Sequence, residues 1–245
     1  MPLTPLEIQR VRDWLATAAR VTVLTGAGIS AESGVPTFRG KDGLWQGFRA
    51  TELATPEAFA HDPKLVWRFY NWRRELLAPL KPNPAHEALV RLEGKVPQFT
   101  LLTQNIDDLH RKAGSRNIVE LHGNIWLVRC VRCLRVARKE EVPLPELPTC
   151  PECGDLLRPH VVWFGEALDP ADLERAVDAS RSCEVMLVIG TSAVVQPAAS
   201  LALVARERGA RVVEVNLEAT PYTHLLDVAL HGKAGTLVPQ LVEGW

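Results

Sequence analysis

Two rhythms of apolar positions alternate along the chain. Four short apolar runs, Val21-Thr22-Val23-Leu24, Phe99-Thr100-Leu101-Leu102, Val161-Val162-Trp163-Phe164 and Val185-Met186-Leu187-Val188-Ile189, are bounded by turn-forming residues, and this pattern predicts strands buried on both faces. Helical spacing lies between and around them. Thr4-Pro5-Leu6-Glu7 is a capping-box start with Pro at the first helical position, and predicts a helix to about Ala19. Residues 64–77 form a second, with Leu65, Phe69, Trp72 and Leu76 on one face, and residues 84–92 a third, ended by Gly94. Residues 40–62 read as loop-rich. Beyond residue 160 the expected order is strand 161–164, helix 170–181, strand 185–189, helix 197–208 and strand 211–215.

Strands alternating with helices predict an α/β fold, a Rossmann-like doubly wound parallel sheet. Residues 124–159 have little periodicity and several prolines, so they are expected to interrupt the sheet as a small separate domain. The expected division is a discontinuous sheet domain (1–40, 80–123 and 160–245), a helical and loop insert (41–79) and the small domain (124–159). At 245 residues the chain is long enough for one large domain with such inserts.

Composition narrows the class. With 47% hydrophobic and 23% charged residues and a net charge of −1, the chain lacks the basic excess of a dedicated nucleic-acid binder. No apolar run reaches the roughly 18 residues of a membrane span, and the N-terminus has neither a signal-peptide nor a transit-peptide pattern. A cytoplasmic monomer is the expectation.

Gly26-Ala27-Gly28-Ile29-Ser30-Ala31 directly follows the first strand and fits a glycine turn that brings backbone and a helix start to a pyrophosphate. A nicotinamide dehydrogenase would carry an acid about 20 residues on, at a strand end. That region here is the loop Gly34-Val35-Pro36-Thr37-Phe38-Arg39, which points to a different nucleotide chemistry. Gln104-Asn105-Ile106-Asp107, Gly190-Thr191-Ser192 and Asn216-Leu217-Glu218 are polar ends of three further strands. Together the four strand ends predict an elongated dinucleotide site.

Five cysteines include Cys130-x-x-Cys133 and Cys150-x-x-Cys153, separated by 16 residues. That spacing predicts four thiolates on one tetrahedral zinc with no open position, a structural ion. Cys183, beside an apolar run, is expected to be a small buried hydrophobe. Arg129, Arg132, Arg135 and Arg138, three apart, are expected to form a solvated basic face.

In order along the chain, Gly26-Ala27-Gly28-Ile29-Ser30, Gly34-Val35-Pro36-Thr37-Phe38-Arg39, Thr103-Gln104-Asn105-Ile106-Asp107, His122-Gly123, the two cysteine pairs, Val161-Val162-Trp163-Phe164-Gly165-Glu166 and Gly190-Thr191-Ser192 resemble the sirtuin family, from about residue 14 onward. The resemblance implies an NAD-dependent protein-lysine deacylase that uses NAD as co-substrate and releases nicotinamide and 2′-O-acyl-ADP-ribose. It implies His122 as general base, with Asn105 the second catalytic residue, a use that suits an imidazole titrating near neutrality. NAD contacts implied are Gly26, Ala27, Gly28, Ile29, Ser30 and Glu32 after the first strand, and Pro36, Thr37, Phe38, Arg39 and Trp45 on the loop over the cofactor. Further contacts are Gln104, Asn105, Ile106 and Asp107, then Gly190, Thr191 and Ser192, and finally Asn216, Leu217, Glu218 and Ala234. An acyl-lysine protein would bind as an extended peptide along Val162, Phe164, Gly165 and Glu166.

Within the family, Tyr70 and Arg73, three apart on one helix face, resemble the branch that removes succinyl and malonyl groups, and Ala54 resembles the small residue that widens its acyl pocket. The expectation places Tyr70 and Arg73 off the apolar face, with an Arg fork and a Tyr hydroxyl holding a terminal carboxylate. Rival readings are an acetyl-specific deacetylase, a protein ADP-ribosyltransferase on the same NAD site, and a non-catalytic NAD or zinc-ribbon binding module.

Overall fold

The computed structural model describes residues 5–36, 44–45 and 47–244. Thr37, Phe38 and Arg39 lie outside the described residues. In chain order the elements are α1 (Pro5–Thr17), β1 (Arg20–Thr25), α2 (Ala27–Ser30), β2 (Leu44–Trp45), β3 (Phe48–Arg49), α3 (Ala50–Leu53), α4 (Pro56–His61), α5 (Pro63–Leu77), α6 (Pro84–Lys95), β4 (Gln98–Thr103), α7 (Leu109–Ala113), β5 (Ile118–Glu120), β6 (Gly123–Cys130), β7 (Val136–Arg138), β8 (Leu157–Val161), α8 (Pro170–Ser182), β9 (Val185–Ile189), α9 (Leu201–Glu207), β10 (Arg211–Asn216), β11 (Val228–His231) and α10 (Ala234–Val242).

Six strands form one sheet in the order β11-β10-β9-β1-β4-β5, every neighbouring pair parallel. Side chains alternate between two layers. Val23, Leu101, Leu187 and Val213 pack with α1, α6 and α10 on one face; Leu24, Leu102, Val188 and Val212 pack with α8 and α9 on the other. Both faces are buried, which is why the strands read as unbroken apolar runs. The expected doubly wound α/β sheet is the observed one.

A second, antiparallel sheet orders β7-β6-β8 and carries the cysteines at its outer end. The strand expected at 161–164 ends at Val161, and it pairs antiparallel with β6 instead of extending the parallel sheet. Three further corrections concern helices. The loop-rich reading of 40–62 overlooks α3 and α4; α4 starts at a proline behind Thr55, whose side chain accepts from the Ala58 amide. Helix α6 runs through Gly94 to Lys95. On α5 the buried residues are Val66, Trp67, Phe69, Tyr70, Arg74 and Leu77, so Tyr70 lies on the core face and not off it. The reason is that α5 is covered twice. Trp45 and Trp72 pack around Phe69 on one side, while Trp67 Nε1 donates to the Leu157 carbonyl of β8 on another.

Register leaves the strands level at their C-terminal ends, with Thr25 opposite both Thr103 and Ile189. The turns after β1 and β9 therefore meet. The Gly26 amide donates to Ile189 O (3.0 Å) and the Gly28 amide to Gly190 O (2.8 Å). A Cβ on Gly28 would stand 2.7 Å from Gly190 Cα, and one on Gly190, whose φ is +62°, would stand 2.3 Å from the Ile29 nitrogen. Gly190→Ala is thus expected to lower the unfolding free energy by about 2–4 kcal/mol, combining left-handed strain with backbone collision. Urea unfolding measures it as a lower midpoint at unchanged slope.

Candidate active site

The chain runs from β1 outward to β4 and β5, then returns to the other side of β1 as β9, so a topological switch lies between β1 and β9. Crevices at such points, beyond the carboxyl ends of the strands, are where open α/β sheets bind ligands. The polar strand ends converge there. Asn105 Nδ2 donates to Gly26 O and Ser30 Oγ (both 3.1 Å), Gln104 Nε2 to Thr191 Oγ1 (3.0 Å), and Asn216 Nδ2 to Thr191 O (2.8 Å). Two candidates sit at the margin: Leu217 is exposed, and Glu32 accepts from the Gly235 amide (2.6 Å), next to Ala234 at the start of α10. In Gly26 and Gly28 the missing side chain first admits neighbouring backbone.

His122, just before β6, is partly buried, and its Nδ1 lies 2.9 Å from Gln104 O. A carbonyl only accepts, so Nδ1 carries the hydrogen and Nε2 keeps its lone pair. Burial holds the imidazole below its ordinary pKa, with the Gln104 bond opposing, and the ring is neutral at pH 7. Asp107 is buried; desolvation raises its carboxyl, while the Leu109 amide, the Ser30 hydroxyl and the charge of Arg73 act to lower it.

Below this row lies a polar cluster absent from the sequence reading. His86 and His110 pack with ring centroids 4.8 Å apart, His86 reaching Ser30 Oγ (3.4 Å) and His110 reaching Thr25 Oγ1 (2.9 Å). Burial pushes His86 down to about 4, and burial plus His86 push His110 well below the usual imidazole range.

On the other side of His122, Ala54 is buried and its carbonyl accepts from the Phe164 amide (2.9 Å). Tyr70, 2% exposed, accepts at its hydroxyl from Trp163 Nε1 (2.9 Å). Burial is the largest influence on Tyr70 and raises it to about 12, against the lowering effect of Arg73. Arg73, partly buried, sits over the Phe69 ring (5.7 Å) and is lowered by desolvation, opposed by Tyr70 and Asp107. Phe164 is half exposed, and the Val162 amide donates to His122 O (2.9 Å). Glu166 is engaged inside the protein, by Arg158 and by the Trp163 amide.

The four cysteines of the small sheet bring their sulfurs within 4.8 Å of one another, with Cys130–Cys153 at 3.4 Å and Cys133–Cys150 at 3.7 Å. Thiolates around a tetrahedral zinc at about 2.3 Å stand about 3.8 Å apart, so the set fits one structural zinc. Cys183 is buried elsewhere, its thiol raised to about 11 by burial. Of the expected basic face, Arg132, Arg135 and Arg138 are exposed, with Arg138 also pairing with the buried Asp108 carboxylate, whereas Arg129 is half-buried with its Nε covered and does not belong to a solvated face.

Residues 26–197 match the Sir2 family. The chain belongs to that family. It is 56% identical over 217 residues to an NAD-dependent protein deacylase of Aquifex aeolicus, covering 88% of this chain and 91% of the relative. Among solved structures, a Sir2 homologue in complex with NAD superposes with a TM-score of 0.91 at 50% identity, covering 96% of this chain and 92% of the other. A Sir2–p53 peptide–NAD⁺ complex superposes at 0.86 with 34% identity, covering 96% and 97%. These matches agree with the expected family, with an NAD-dependent deacylase and with NAD as co-substrate. No helix among the described residues of this Sir2-family chain is long and apolar enough to cross a membrane.

Two consequences are measurable. His86, folded, binds its proton only near pH 4, whereas unfolded it does so near 6.5, so its contribution to stability is complete above about 6.5 and is lost as pH falls toward 4. Urea unfolding at about pH 7.5 and about pH 5 should show a loss that is smaller in His86→Gln, by up to about 2 kcal/mol. Cys150→Ser is expected to drop bound zinc from about one equivalent per chain to well below it, read by atomic emission, and to lower the melting temperature.

Proposed function

We propose that this Sir2-family chain is an NAD-dependent protein-lysine deacylase that prefers acyl groups ending in a carboxylate, succinyl or malonyl, over acetyl. The observation that carries the preference is the state of Tyr70. Its oxygen accepts the Trp163 indole hydrogen, so its own hydrogen is available to another acceptor, and at about 12 its pKa keeps that hydrogen in place at neutral pH. Arg73, next on the same side of α5, adds a guanidinium in a partly dry environment, where an acyl carboxylate would be held by a fork and a hydroxyl together. Ala54 leaves the width for it. In this reading residues 41–79 form the acyl pocket, and the parallel sheet with residues 1–40, 80–123 and 160–245 holds NAD.

His122 supports the chemistry. With Nδ1 fixed on Gln104 O, Nε2 would take a proton from a ribose hydroxyl of the co-substrate; the acyl oxygen displaces nicotinamide from the ribose, water releases the lysine amine, and the acyl group leaves on ADP-ribose. Asn105 holds the Gly26 and Ser30 turn, which in this reading faces the cofactor, and Asp107 would bond the nicotinamide carboxamide. The acyl-lysine segment would lie extended along residues 162–166, past the half-exposed Phe164.

The test compares kcat/KM for one peptide bearing succinyl-lysine or acetyl-lysine, with products identified by mass spectrometry. Each charge-assisted bond contributes about 1.5–3 kcal/mol, so the succinyl preference should be at least about tenfold and should collapse in Arg73→Met. His122→Ala should abolish turnover of both peptides while the fold survives. Equal rates in wild type, untouched by Arg73→Met, would leave a deacetylase without the carboxylate preference. ADP-ribosylated protein in place of deacylated peptide would make the chain a transferase to protein.

A further inference from the structure

We infer that the Arg158–Glu166 ion pair is a positioning element for the substrate peptide and its acyl group, setting the turn of residues 162–166 and, through Trp163, the hydroxyl of Tyr70. The inference rests on the reading that the peptide lies along this turn.

Arg158, on β8, is 9% exposed and grips Glu166 with both ends of its fork, Nη1 to Oε1 at 2.6 Å and Nη2 to Oε2 at 2.8 Å. Nη2 also donates to Val161 O (3.1 Å). The guanidinium plane covers the Trp163 ring, 3.5 Å from its centroid. Glu166 Oε2 accepts from the Trp163 amide (2.8 Å), and the Glu166 amide returns a bond to Trp163 O (3.0 Å). Gly165, at φ +88°, closes the turn. From this base the turn reaches in two directions. Its backbone meets His122 O through the Val162 amide and Ala54 O through the Phe164 amide; its indole meets Tyr70.

A largely buried ion pair, here with Glu166 still 23% exposed, adds little net stability over an apolar pair of the same size. What a bidentate fork adds is direction, since two parallel bonds and a stacked ring permit one orientation of the carboxylate and therefore of the amide that it holds. Here that orientation decides both the edge offered to a peptide and the acceptor side of Tyr70. NAD, at the far strand ends, is contacted by neither residue in this reading.

Glu166→Gln keeps the shape but removes the charge and turns a donor toward Arg158; Arg158→Lys keeps the charge but loses the fork and the stacking. In either variant the peptide KM should rise about tenfold or more, with kcat within about threefold and the NAD KM within about twofold of wild type. The succinyl-over-acetyl preference should shrink in the same variants, and urea unfolding confirms that each is folded. Phe164→Ala serves as a marker of the peptide edge and should raise peptide KM by itself. If Phe164→Ala raises it and neither ion-pair variant does, the positioning role is overturned while the peptide edge stands. If none of the three changes it, the peptide edge and the inference fall together. Peptide and NAD KM rising in parallel with lost stability would make the pair merely structural and overturn the inference.

Discussion

The contact between Gly28 and Gly190 is the constraint from which the site is built. Level strand ends bring two turns to the same point, and only hydrogen atoms fit between their backbones. With that gap closed, Thr191 falls where Gln104 and Asn216 both reach it, and Gly26 falls where Asn105 reaches it. Gln104 in turn presents the carbonyl that fixes the tautomer of His122. A shift of one turn would therefore disturb positions on four strands, which is how a parallel sheet transmits a local requirement across its width.

The parts of the fold that were legible in the sequence share one property: their physical demand is local. Two-sided burial makes β1, β4 and β9 apolar runs, a glycine turn needs its glycines, and a zinc knuckle needs its spacing. What was not legible depends on partners distant in the chain. Strand β6 alternates irregularly because it packs against α5 and the cysteine end as well as β8. Tyr70 and Arg74 look like an exposed helix face until β6 and β8 cover them. Helix α10 contains Pro239, which argues against a helix, yet Leu237, Val238, Leu241 and Val242 bury it against the sheet and α6. Helix α4 did carry a readable signal, Thr55 followed by Pro56, as α5 did in Asp62 and Pro63.

Among site residues, the strand-end set was legible because polar residues closing apolar runs are anomalous. His86, His110 and Arg158 were not, since each sits in unremarkable sequence and acquires meaning only from what it is folded against. Arg74 is the extreme case. It is completely buried, lowered to about 10 by desolvation, and donates to the carbonyls of Ile125, Lys139 and Glu141 with Trp126 under its plane. One guanidinium thus joins the helix carrying Tyr70 and Arg73 to the sheet carrying the cysteines, through backbone acceptors that no side-chain pattern advertises.

The order of the parallel sheet has one more outcome. Its borders are β5, three residues long, and β11, four residues long, while the longer strands lie inside. Unpaired amide and carbonyl groups along a border are a template on which another chain can add, and the template grows with strand length. By placing its shortest strands outermost, the fold leaves little for a stray strand to recognise, a form of protection against self-association that costs the interior nothing.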